Sequence, residues 1–140
     1  MNMQKPKLKG KSKQFLKNMV DSASPLQLVV LLYDGAIQWL QMAKKEIKKN
    51  AEEKVVNWST YSHNIDMAIQ IFTHLQDTLN YENSEELSEK LFDLYEFLKS
   101  STIKANAYKE EKDIDNVIEI LRNLKTAWFE ISQKQKQENL

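Results

Sequence analysis

Residues 24–35, Ser24 to Gly35, read SPLQLVVLLYDG, and Leu28 to Tyr33 are six apolar or aromatic residues in succession. Ser24 suits a helix N-cap and Pro25 the first helical position, so the segment opens a helix rather than a strand. At about 100° per residue, Leu26, Val29, Val30, Tyr33, Ala36, Ile37, Leu40, Ala43 and Ile47 make one continuous stripe. Lys44, Lys45, Lys48 and Lys49 crowd the closing turns, where the helix dipole favours cations. The other side of the same helix is also apolar: Leu28, Leu31, Leu32, Trp39 and Met42 lie roughly opposite Tyr33. Gly35 falls on that second side. Glycine costs about 1 kcal/mol relative to alanine inside a helix, but the missing side chain lets another backbone come close.

Three more helices follow the first. One is expected from about Glu52 to Asn80 on Trp58, Tyr61, Ile65, Ala68, Ile69, Phe72, Leu75 and Leu79. Another spans about Ser84 to Ala107 on Leu87, Leu91, Leu94, Tyr95, Leu98 and Ala105, with Asn83 and Glu86 at capping-box spacing. The last is capped by Asp113 and carries Ile114, Val117, Ile118, Leu121, Leu124, Trp128 and Ile131. Two glycines and two prolines in 140 residues leave few breaks, which suits long helices. The pattern predicts an all-α fold: an antiparallel four-helix bundle over 14–134 with a short N-terminal docking segment. Flexible tails are expected at 1–13, which is lysine-rich, and at 135–140.

Composition narrows the chemistry. Twenty basic and twenty acidic residues give zero formal net charge, which argues against a dedicated nucleic-acid binder. With no cysteine there is no disulfide, zinc-thiolate site or cysteine nucleophile, and neither glycine stands in a phosphate-loop motif. No apolar run approaches the roughly 20 residues of a membrane span, so no membrane insertion and a cytoplasmic protein are expected. His63 and His74 share an H-x-x-D spacing, but they sit about 160–180° from Ile65 on their helix and face solvent, not a bundle-core metal. Ser22 and Ser24 read as capping residues without an activating histidine. No enzyme, cofactor or metal is expected.

The feature left over is the second apolar side of the first helix, because a bundle buries only one side of each member. Leu28, Leu31, Leu32, Gly35, Trp39 and Met42 are the candidate partner-binding residues. Phe15, Leu16 and Val20 of the same chain are the candidate groove-covering segment, and a partner's amphipathic segment is the other occupant. Angles alone leave open which stripe is core and which is groove.

Three motifs carry a resemblance. SASPLQLVVLLYDGAIQWLQMAK, residues 22–44, resembles the S-P-x-x-L-x-x-x-L-Y-x-G segment of the flagellar secretion chaperone family FliS. LFDLYEFLKSSTIKAN, residues 91–106, is similar to the family's L-x-x-L-Y-x-[YF] helix, and LRNLKTAWFEI, residues 121–131, to its closing L-x-x-L-x-x-x-W segment. Ser12 and Phe15 stand where family members often carry two tyrosines. The resemblance implies a cytosolic helical bundle that binds the disordered C-terminal segment of flagellin, prevents premature polymerisation and delivers it to the flagellar export apparatus. It also implies that the chain's own N-terminal segment occupies part of the binding surface when flagellin is absent. The alternative is a homodimeric helical adaptor with no flagellin client.

Overall fold

The computed structural model describes residues 25–79 and 85–138. Four α-helices follow in order: α1 (Pro25–Ala51), α2 (Trp58–Asp77), α3 (Glu85–Tyr108) and α4 (Glu111–Glu138). Each packs mainly on its neighbours in the ring α1–α2–α3–α4–α1. Cross-links fix the directions. Asp34 and Lys44 of α1 meet Lys125 and Asp115 of α4, so the two helices run antiparallel. Tyr61 and Gln76 of α2 reach the Ala105 and Phe92 carbonyls of α3 in the same opposed sense. This is the up-down bundle that the helical periodicity predicts.

The basic tail 1–13, the covering segment Phe15, Leu16 and Val20, and the caps Ser24 and Asn83 lie outside the described residues. The tail expected over 135–140 is helical through Glu138.

Two helix starts differ from the sequence reading. The break after α1 carries no glycine or proline, so the second helix read as beginning near Glu52. Instead Glu53 takes the left-handed conformation, φ 58°, and closes α1. Lys54 N–H donates to the Lys49 carbonyl and Glu53 N–H to that of Asn50, the paired bonds of a Schellman cap. A non-glycine residue in that role removes the sequence cue. Asn57 then caps α2, its side chain accepting from Thr60 N–H at 3.0 Å. Glu46, buried near the end of α1, accepts from the Asn57 backbone N–H at 2.6 Å and from Lys49 at 2.8 Å. The two hydrogen bonds, Lys49 first, hold its carboxyl below the usual range. Asp113 does not cap α4: the helix already begins at Glu111.

The core settles which stripe of α1 is deepest. Tyr33, Ala36, Leu40 and Ala43 are fully buried, with Ile37 and Ile47 nearly so. Across from them lie Tyr61, Ile65, Phe72, Leu75, Tyr95, Leu98, Val117 and Leu121. Three expected core positions are more open: Trp58, Leu87 and Ile131 are 40%, 49% and 44% exposed. Trp58 and Leu87 lie in the first turns of α2 and α3, and Ile131 lies about two turns before the end of α4.

A polar chain crosses this apolar centre. The Trp128 indole N–H donates to the Tyr33 hydroxyl at 2.7 Å, and that hydroxyl lies 2.6 Å from the hydroxyl of Tyr95. Tyr33 and Tyr95 come from diagonally opposed helices, and Trp128 joins them from α4. Burial, and then the adjacent Tyr95, drives the Tyr33 hydroxyl far above the ordinary phenol range. Burial raises Tyr95 as well. Tyr61, which donates to the Ala105 carbonyl at 2.9 Å, is pushed up to about 12 by burial and by Asp113. All three phenols therefore stay protonated at neutral pH and remain hydrogen-bond donors.

Candidate partner-binding surface

The second side of α1 forms a half-buried seam with α2. Leu28, Leu32, Gly35, Trp39 and Met42 recur at alternating steps of four and three, which aligns them as one row along the helix. On α2, His63, Met67 and Ile71 recur every four residues and form the facing row. A Cβ built on Gly35 would meet Ile71 Cδ1 at 3.4 Å. The rings of Trp39 and His63 pack edge to face at 5.7 Å. The histidine is exposed at its rim, as its helical angle predicts.

This geometry reassigns Gly35. The sequence suggested room for another chain; the atom that uses the room is on this chain's own second helix. The same packing accounts for Met67 and Ile71, which are 4% and 5% exposed although they lie off the α2 core stripe. Sequence reading missed both because it centred α2 on Ile65. The available signal was the apolar pair Met67 and Ile71 on the row of His63, facing a partner helix with surplus apolar surface.

Gly35→Ala is therefore expected to stabilise the fold by about 0.5–1 kcal/mol, because helix propensity improves and 3.4 Å is an ordinary contact with a movable methyl. Urea unfolding measures it; a loss of stability would mean that Ile71 cannot yield.

The remaining candidates grade outwards. Leu32 and Trp39 are partly buried and pack against the core. Leu28 and Leu31 are half-buried, and Met42 is 50% exposed. The six predicted residues thus share one side of α1: Gly35 and Trp39 meet α2, Leu32 packs on the core, Leu28 and Leu31 are half-buried and Met42 is exposed. Other exposed apolar residues were not singled out from the sequence: Phe97 of α3 and Phe129 of α4 are 56% and 54% exposed. Each stands off the apolar stripe of its helix, which periodicity does not flag.

Among the described residues no group of three or more His, Cys, Asp or Glu could hold a metal. No helix there is long and apolar enough to cross a membrane.

Comparison with known proteins agrees over nearly the whole chain. The family model described as "Flagellar protein FliS" matches residues 9–135. The chain is 29% identical over 128 residues to a flagellar secretion chaperone FliS of Vibrio cholerae, covering 89% of this chain and 90% of that one. It is 28% identical over 127 residues to the flagellar secretion chaperone FliS of Salmonella typhimurium, at 91% and 90% coverage. A crystal structure of a flagellar chaperone from bacteria superposes with a TM-score of 0.69 at 16% identity, covering 89% of this chain and 99% of the other. That likeness supports the four-helix fold.

Proposed function

This chain belongs to the FliS family of flagellar secretion chaperones, and from that premise we propose that it holds the C-terminal segment of flagellin in the cytoplasm, keeps it from polymerising early and hands it to the flagellar export apparatus. The observation that carries the client assignment is the outer row of α1. Met42 is 50% exposed and Leu28 and Leu31 are only half-buried, on a helix whose core stripe is already satisfied. An amphipathic segment that lays its apolar face along this row buries surface that the bundle itself cannot cover.

Binding of this kind is coupled to folding. A disordered segment loses conformational entropy as it orders, so affinity per unit area is low, but it wraps a wide surface and is released again without chemistry. The chaperone supplies relief and rigidity; the four packed helices keep the row from rearranging. Release then falls to the export machinery.

Calorimetry with a synthetic flagellin C-terminal peptide tests this reading. Binding should show a negative heat-capacity change, and far-UV circular dichroism of the mixture should gain helix beyond the sum of its parts. A protein that is dimeric at every concentration and ignores the peptide would overturn the client assignment in favour of a homodimeric adaptor.

A further inference from the structure

The groove between α1 and α4 contains a cation that the bundle does not use. Arg122 is the chain's one arginine. Its guanidinium makes no ion pair or side-chain hydrogen bond among the described residues; only its backbone carbonyl accepts, from Thr126. It lines a groove of about 690 Å³ whose apolar parts are Ile37 and Phe129. Ile37 is nearly buried and Phe129 is 54% exposed, so one forms floor and the other wall. The acid lining the same groove, Asp34, pairs with Lys125 at 2.7 Å and not with Arg122, so Lys125 offsets its charge while Arg122 stays uncommitted. Gln38 and Gln41 add neutral amides at the α1 edge.

The donor type is informative. A guanidinium presents a planar fork that matches a carboxylate bidentately, unlike the point charge of the 19 lysines. The position is informative as well. Gln38 precedes Met42 by one helical turn, so the groove adjoins the open apolar row of α1 across the helix ridge. A segment lying along that row and ending there would bring its terminus over Arg122. The proposed client segment is C-terminal and therefore carries a free α-carboxylate.

We infer that the α1–α4 groove captures the terminal α-carboxylate of the client through Arg122, with Phe129 packing on the last apolar side chain, and that this contact sets where the client begins its path over the chaperone. The inference rests on the flagellin reading above. Charge complementarity selects this occupant: the groove offers one uncommitted fork donor, and the client offers one carboxylate fixed at its end.

The test uses the full chain and a flagellin C-terminal peptide made as free acid and as C-terminal amide. Amidation should weaken binding to the unmodified protein about five- to tenfold, the scale of a charged hydrogen bond in a partly hydrated groove. Arg122→Gln should weaken the free acid by a similar factor and remove the difference between the two peptides. Arg122→Lys, which keeps charge but not the fork, should fall between. Arg122 is exposed, and matching circular dichroism should confirm that the variants fold. If the free acid binds but amidation changes nothing, or weakens wild type and Arg122→Gln equally, the inference is overturned and the client assignment stands. Dependence on Arg122 without dependence on amidation would instead move the contact to an acidic side chain of the peptide, which also overturns it. A free acid that does not bind at all overturns the client assignment itself.

Discussion

Tyr33→Phe is expected to destabilise the bundle by about 2–3 kcal/mol, more than either Tyr95→Phe or Trp128→Phe. The Tyr33 hydroxyl is the middle of the chain, accepting from Trp128 at 2.7 Å and bonded to Tyr95 at 2.6 Å. Removing it strands two groups. The Tyr95 hydroxyl is 2% exposed at its residue, so water cannot replace the lost partner. The Trp128 indole is half-buried and recovers part of its loss by hydration. Removing the Tyr95 hydroxyl leaves the Trp128–Tyr33 bond in place, so about 1 kcal/mol is expected there. On the usual scaling for a chain of this size, Tyr33→Phe should lower Tm by about 5–10 °C. Tyr95→Phe costing as much as Tyr33→Phe would show that the hydroxyls are not coupled through the middle member. The double variant supplies the check: a real chain makes the two losses less than additive.

That hydrogen-bond chain also explains why three separated stretches were legible together. LLYDG, LYEF and the segment containing Trp128 looked like independent motifs along the sequence. In the fold Tyr33, Tyr95 and Trp128 converge on one point. Each motif presents one polar tip from an otherwise apolar stripe, which is how a core specifies which helices stand opposite one another.

Legibility failed where the physics is tertiary. The four helices and the Tyr33 stripe follow from periodicity, because 3.6-residue repeats read directly as faces. The start of α2 does not, because Glu53 closes α1 in a conformation usually marked by glycine. On the sequence alone, Gly35 suggests space for a second molecule. Its neighbour, Ile71, lies far along the chain, and only the assembled seam reveals it. Arg122 carried no sequence signal: its lack of an acidic partner is a property of the α1–α4 packing, in which Lys125 takes Asp34.

The seam also decides which substitution separates binding from folding. Met42→Asp is expected to weaken flagellin-peptide binding at least about tenfold while leaving stability within about 0.5 kcal/mol. Met42 is 50% exposed, so the free protein loses little when it changes. In the complex the same position would force a carboxylate under an apolar segment, where an unpaired charge is costly. Leu32 and Trp39 cannot give this separation. Both pack against the core, and Trp39 also meets His63 edge to face at 5.7 Å. Trp39→Ala should therefore lower Tm and affinity together, since it opens the α1–α2 seam as well as removing surface. Met42→Leu keeps volume and apolarity and should bind as wild type does, which excludes a trivial effect of changing the residue. Titration calorimetry and thermal unfolding on these variants read both quantities. Unchanged peptide affinity in Met42→Asp would place the client elsewhere on the bundle and remove the outer row of α1 from its path.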